Sequence, residues 1–163
     1  MKILHLLTKG LTKIEKWICL MALGAMFLVG ALEVLSRNIL GKSFYWSQEI
    51  IIIMLVWEVF MGAAFIFNSS KLISVDMLYE KFSERGQKVL DIIGNIIIII
   101  VSMIVLYFGW SYMLMQVDLK TTALHITQRI YTIPMLISAA SMTIEAIRRL
   151  IESIIKIQPR EAV

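Results

Sequence analysis

Few residues in this sequence have side chains that could do chemistry within its long apolar stretches. Glu33 and Glu58 are the acidic residues of the first two apolar runs, Cys19 is the single cysteine, and His5 and His125 are the two histidines. A bis-histidine haem site needs histidines that face each other inside the spans, and His5 and His125 both lie outside the apolar stretches. A disulfide or a thiol oxidase needs paired cysteines, and the sequence has one. No glycine-rich phosphate loop or nucleophile arrangement stands out. The sequence therefore predicts a protein that is not an enzyme and holds no cofactor or metal.

Glu58 lies near the middle of the second apolar run, where an ionised carboxylate is costly unless it is paired, hydrogen-bonded or protonated. Two interpretations stay open. Glu58 is buried in an interface with another protein, or it is a neutral acid that hydrogen-bonds to hydroxyls at a similar depth, those of Ser102, Ser138 and Ser141.

For several other residues, a structural role is the simplest interpretation. Glu33 and Arg37 are one helical turn apart, in the order that favours a salt bridge at the membrane interface. Trp17 and Trp46 fall at predicted water interfaces, where indole rings anchor the depth of a span. The small residues that start at Gly62 leave a smooth face on which two helices can approach closely.

The elements that must position these residues are membrane spans. The chain has 163 residues, a mean hydropathy of +0.81, 59% hydrophobic residues and 17% charged residues. A spanning helix needs about 20 mostly apolar residues. The sequence predicts an all-α integral membrane protein, with residues 1–163 forming one four-helix membrane domain. The predicted spans are residues 17–36, 47–67, 89–116 and 130–150.

Two further segments have the pattern of helices at a membrane surface. Apolar residues of the segment 3–18 recur at helical spacing, which predicts an N-terminal amphipathic helix that runs into span one. Between spans two and three, apolar residues repeat every three to four positions among charges, which favours an interfacial helix at about 72–86. A solvated linker is the alternative for this second segment.

The positive residues predict the orientation of the chain. Twelve of the sixteen Lys and Arg residues precede span one, lie between spans two and three, or follow span four. By the positive-inside rule, both termini and the 72–86 segment are cytoplasmic. The net charge of +4 comes from basic residues that are scattered in ones and twos among apolar runs. This distribution is typical of membrane loops and argues against nucleic acid as a partner.

Several short motifs recur in a specific order along the chain. They are Arg37-Asn38-Ile39-Leu40-Gly41-Lys42-Ser43, Trp46-Ser47-Gln48-Glu49, Trp57, Gly62-Ala63-Ala64, Lys71-Leu72-Ile73-Ser74-Val75-Asp76 and Leu124-His125-Ile126. In this order they resemble the small membrane subunit of tripartite ATP-independent periplasmic (TRAP) transporters. Leu72 stands where that family often has His, and Thr127 where it often has Pro. These departures affect any role specific to those two side chains, and leave the architecture unaffected.

The resemblance implies a multi-pass protein of the bacterial inner membrane that works in a secondary transporter. A sodium gradient would drive the import of a carboxylate solute, a sialic acid or a C4-dicarboxylate, delivered by a periplasmic substrate-binding protein. A large multi-span membrane subunit would carry the solute and sodium sites, and this chain would extend its scaffold among the membrane lipids. The resemblance adds Glu49, Lys71 and Asp76 to the candidates for structural or subunit-interface roles.

Two other classes of protein compete with this interpretation. A self-sufficient small four-span multidrug exporter would dimerise around an intramembrane glutamate, and Glu58 is the residue that supports it. Such exporters are shorter, carry the glutamate in span one and lack long amphipathic connections. A structural or signalling membrane adaptor is the third class, and composition alone does not discriminate against it.

Overall fold

The computed structural model describes residues 2–69 and 84–157. Within these ranges the chain is almost entirely helical, which confirms the predicted all-α fold. The predicted interfacial segment and the candidates Lys71 and Asp76 lie outside the described residues, apart from residues 84–86, which begin the third helix. The helices are α1 (Lys2–Leu40), α2 (Ser47–Asn68), α3 (Glu84–Met115) and α4 (Arg129–Ile157).

Each of the four helices contains a stretch long and apolar enough to cross a membrane, as predicted. At a rise of about 1.5 Å per residue, even the shortest of these stretches reaches the roughly 30 Å of a hydrocarbon core. The stretches are Thr8–Leu40, Ser47–Asn68, Val89–Met115 and Arg129–Ser153, with mean hydropathies of 2.3, 2.5, 2.8 and 1.5.

The helices pack in the order α1, α2, α4, α3, as an open row. α1 packs mainly on α2, α2 on α4 and α4 on α3, while α1 and α4 touch less extensively. In the most apolar stretch of α4, 44% of residues are buried, against 6% in α1. The central position of α4 explains why the least hydropathic span is also the most buried one.

α2 and α4 run parallel and in a constant register. Trp57 bonds to Ile130 and Asn68 bonds to Ser141, and both pairs are 73 residues apart in sequence. This register defines two ends of the molecule. We call the end where α1 begins and α2 and α4 finish the terminal end, and the end with the α1–α2 and α3–α4 connections the loop end.

The N-terminal residues continue span one, since α1 is a single helix of 39 residues. Thr8 and Glu15 are buried, whereas Ile14 is 57% exposed. Thr8 and Glu15 therefore pack against the other helices, whereas the lysines of this segment and part of its apolar stripe are exposed.

Two glycines mark where helices approach closely. A Cβ at Gly62 would lie 3.8 Å from Sγ of Cys19, so α1 contacts α2 at the small-residue face predicted from the sequence. A Cβ at Gly109 would lie 2.6 Å from Cε of Met135 and 2.9 Å from Cδ2 of Leu136. The α3–α4 contact therefore depends on Gly109, whose importance the sequence did not indicate.

Candidate functional site

Glu33 organises the turn between α1 and α2 at the loop end. α1 ends at Leu40, and Gly41 follows with a φ of 63°, the left-handed conformation that terminates many helices. The chain then folds back over Glu33, whose carboxylate accepts bonds from the Ser43 hydroxyl, from Phe44 N at 3.0 Å and from Ser47 Oγ at 2.8 Å. Glu33 thus ties the end of α1 to the start of α2.

The other sequence candidates at this turn have smaller roles. Arg37 places its guanidinium 3.6 Å from Glu33 Oε1, in the predicted i,i+4 geometry, but its side chain is 64% exposed. An exposed pair of this kind contributes little to stability. Trp46 precedes α2 and stacks on Phe44, with ring centroids 5.2 Å apart.

Glu49, in the first turn of α2, holds the connection between α3 and α4. Its carboxylate accepts a bond from Ala123 N at 2.7 Å and a longer one from Leu124 N at 3.3 Å. Within the connection, Thr121 N donates a hydrogen bond to the Ile126 carbonyl at 2.8 Å. His125 in this turn has a positive φ of 55°. Two motifs that carry the family resemblance, 46–49 and 124–126, therefore meet in space.

Trp57 compensates for a proline in α4. Pro134 has no N–H, so the carbonyl of Ile130 loses the hydrogen bond that a regular helix would provide. The indole Nε1 of Trp57 donates to that carbonyl at 3.1 Å. Within a bilayer an unsatisfied carbonyl is costly. Trp57 therefore stabilises α4 and fixes its register against α2.

A buried polar junction joins three helices at the terminal end. Asn68 Nδ2 lies 2.9 Å from Oε2 of Glu15 and 2.9 Å from Oγ of Ser141, and the Ser141 hydroxyl also donates to Glu15. Glu15 and Ser141 are each only 3% exposed. We call Glu15, Asn68 and Ser141 the three-helix junction. No sequence pattern singles out Glu15 or Asn68, and Ser141 is predicted only as a partner of Glu58.

Next to this junction, Glu145 forms a buried ion-pair cluster. The carboxylate is 1% exposed and accepts two bonds from Arg148, at 2.8 and 2.5 Å, and one from Arg149 Nε at 2.9 Å. Arg149 also donates to the Phe67 carbonyl at 2.5 Å, and its guanidinium lies 4.6 Å from the Phe67 ring centre. A cation on the last carbonyls of α2 complements the helix dipole. The cluster therefore binds α4 to the end of α2.

Glu58 differs from the other buried or half-buried glutamates. Its side chain is half-buried, and no hydrogen bond or ion pair reaches it from the described ranges 2–69 and 84–157. Ser138 donates to Met135 O, and Ser141 donates to Glu15. Two of the three hydroxyls that the second interpretation of Glu58 names, those of Ser138 and Ser141, therefore donate to other acceptors. The backbone carbonyl of Glu58 is approached by Cys19 Sγ at a long distance of 3.8 Å.

Two cavities lie at opposite ends of the molecule, away from Glu58. One of about 340 Å³ opens at the loop end beside Glu49, and one of about 620 Å³ opens at the terminal end beside Asn68 and Glu145. Glu58 lines neither of them. Among the described residues, no group of three or more His, Cys, Asp or Glu could hold a metal ion.

This arrangement defines a class of protein: a membrane protein with four candidate spans, whose buried polar groups mostly join its own helices. Comparison with known proteins gives the family. The family model described as "Tripartite ATP-independent periplasmic transporters, DctQ component" matches residues 26–156, and the chain belongs to this family. The resemblance predicted from the sequence motifs is thereby confirmed.

One relative is a Haemophilus influenzae protein that carries the provisional name TRAP transporter small permease protein. It is 26% identical to this chain over 106 residues. The aligned stretch covers 65% of this chain and 63% of that protein. The family is a transporter component rather than an enzyme family, and its small permeases are multi-pass membrane proteins.

Proposed function

We propose that the chain is the small scaffold subunit of a sodium-coupled TRAP transporter in the bacterial inner membrane. It packs beside a large multi-span subunit, which carries the solute and sodium sites, and a periplasmic binding protein delivers a carboxylate solute. The observation that carries the proposal is the family match over residues 26–156. A sialic acid and a C4-dicarboxylate are the two solutes to test.

The contacts within the chain support a scaffold role. Glu15, Glu33, Glu49 and Glu145 are all engaged by donors of the same chain. A transport site needs a polar group that is free to bind solute near the midplane and to be exposed alternately on each side. Glu58 is a single carboxylate, and such a residue is better suited to contact a partner helix.

The orientation is part of the proposal. Twelve of the sixteen positive residues lie toward the terminal end or in segments connected to it, so the positive-inside rule favours cytoplasmic termini. The loop end, with Glu33 and Glu49, would then face the periplasm. There it would stand near the binding protein.

Reconstitution tests this proposal. The large subunit is first identified by affinity purification of the full chain in mild detergent. Proteoliposomes then receive this chain, the large subunit and the solute-loaded binding protein, and solute uptake is measured under an inward sodium gradient. We expect uptake only with all three components, and we expect it to stop when the gradient is removed.

Three controls make the outcome decisive. Liposomes with this chain alone, and liposomes that lack only this chain, should take up no solute above the level of empty liposomes. Undiminished uptake without this chain would contradict the scaffold role. Proton-coupled export of cationic dyes by the purified chain alone would instead establish the small-exporter alternative.

A further inference from the structure

The cavity at the terminal end has a charge pattern that the scaffold role does not use. Three lysines and one arginine line it, against a single glutamate, together with the hydroxyls of Thr8, Thr12 and Ser69. Arg148 is engaged by Glu145 and Glu152, at 2.5 Å in each case. The excess positive charge of the cavity therefore comes from its lysines, Lys9, Lys13 and Lys16.

The three lysines form one row along α1. Their spacing of four and then three residues places them on the same face of the helix. All three side chains are exposed, and none forms an ion pair within residues 2–69 and 84–157. Their charges are therefore available to an anion in the cavity.

The same face of α1 becomes apolar immediately beyond the lysines. Leu20, Leu23 and Phe27 continue the spacing and are 49%, 47% and 74% exposed. From Lys16 to Phe27 the helix rises about 16 Å, close to the thickness of one hydrocarbon leaflet. Trp17, 65% exposed, lies at the change from cationic to apolar, as expected at a membrane interface.

Asn68 adds a polar atom at the cavity that has no partner among the described residues. Asn68 lines the cavity, and its Oδ1 is buried with no hydrogen-bond donor from the described part of the chain. Nδ2 of the same amide is already engaged in the three-helix junction. A ligand that brings a hydroxyl or ammonium donor next to its negative charge would satisfy this acceptor.

We propose that this cavity binds the headgroup of an anionic phospholipid of the phosphatidylglycerol class. The phosphate lies against the lysine row, a headgroup hydroxyl donates to Asn68, and an acyl chain follows Leu20, Leu23 and Phe27. Basic pockets between spanning helices are typical sites for anionic headgroups. The apolar continuation of the lysine face favours a lipid over free phosphate, because it gives the acyl chain attached to the phosphate a surface to pack on.

Native mass spectrometry of the delipidated full chain tests the proposal. The chain is mixed with equal amounts of phosphatidylglycerol, phosphatidylethanolamine and phosphatidylcholine, and the retained lipid is identified. We expect one phosphatidylglycerol to be retained in preference to the others. In K13Q/K16Q this preference should fall roughly ten- to thirtyfold, since each cation near an anionic headgroup contributes about 1 kcal/mol.

Matched variants separate site binding from general charge effects. K42Q/K120Q removes two exposed lysines at the loop end and should bind like the unmodified chain, and K13R/K16R should retain the preference. If K13Q/K16Q does not fold, as judged by circular dichroism, the unmodified chain is titrated with salt, which should weaken phosphatidylglycerol binding. Equal retention by K13Q/K16Q and K42Q/K120Q would overturn the proposal. So would salt-insensitive binding, or displacement of the lipid by millimolar glycerol phosphate.

Discussion

The glutamates of this chain differ in which hydrogen-bond donors or cations contact their carboxyl groups. Glu33 and Glu49 accept bonds from backbone N–H groups and hydroxyls of the turns at the loop end. Glu145 is neutralised by two arginines on its own helix. Glu58 has no such partner within the described ranges, although it lies in the middle of a spanning helix. Since an unpaired carboxyl is costly at that depth, its partner is expected to come from another subunit.

Substitution of Glu58 should therefore affect assembly rather than the fold of the chain. Glu58→Gln should retain the large subunit, because an amide can still form hydrogen bonds. Glu58→Leu should lower the yield of complex roughly three- to twentyfold, as an interhelical hydrogen bond in membranes contributes about 0.6 to 1.7 kcal/mol. Glu58→Lys should lower it further, and the yield is measured by co-purification.

The helicity of each variant, measured in detergent, serves as the control for folding. If Glu58→Leu left both complex yield and transport unchanged, Glu58 would have no role at the interface. Partial loss in Glu58→Gln would indicate instead that the carboxylate is ionised and paired with a cation of the partner.

Among the helices, α2 and α4 form the rigid centre of the protein. Three contacts at different depths keep them in one parallel register: Glu49 on the α3–α4 turn, Trp57 on Ile130, and Asn68 on Ser141. α1 joins this pair through Glu15 at one end and Glu33 at the other. These polar contacts thus lie at the loop end, at the proline, and at the level where α2 ends.

Asn68→Ala should weaken the association of α1, α2 and α4. The change leaves the buried carboxylate of Glu15 with only the Ser141 hydroxyl, so we expect a loss of about 1 to 2 kcal/mol. The measurement is reversible unfolding in mixed micelles, followed by circular dichroism. Ser111→Ala is the matched control, because its exposed hydroxyl bonds only within α3 and should change stability little.

An unchanged midpoint for Asn68→Ala would mean that the three-helix junction contributes nothing to stability. A loss of similar size in Ser111→Ala would mean that the assay reports polar substitutions in general.

As a whole, the molecule is an open row that leaves large parts of α1 and α3 uncovered. Large apolar side chains such as Phe27, Tyr107 and Phe108 are 65% to 74% exposed. In a bilayer such faces contact lipid or a partner, so they carry no penalty. In the proposed scaffold role, a row of this shape would widen the membrane footprint of the large subunit.

The orientation of this row can be measured by cysteine accessibility. After Cys19 is replaced by serine, Lys42→Cys and Thr122→Cys at the loop end should react with an impermeant thiol reagent in intact cells. Lys9→Cys at the terminal end should react only after the cells are opened, because the positive-inside rule favours cytoplasmic termini. Labelling of Lys9→Cys in intact cells, with the other two silent, would reverse the topology.

Properties that depend on neighbouring residues were predictable from the sequence. The four spans follow from local hydropathy, and the pairing of Glu33 with Arg37 follows from helical spacing. The order of short motifs was enough to indicate the family, which the comparison confirms. Such features need no knowledge of how the helices are rotated about their axes.

The long-range contacts depended on tertiary structure. Glu15 and Ser141 are 126 residues apart, and neither is distinctive in its local sequence. Trp57 finds the Ile130 carbonyl only because Pro134 frees it and because α2 and α4 share a constant register. Helix rotation and register come from the fit of whole helix surfaces, including the close approach at Gly109. The sequence thus determined which segments cross the membrane, and packing between them decided which polar groups meet.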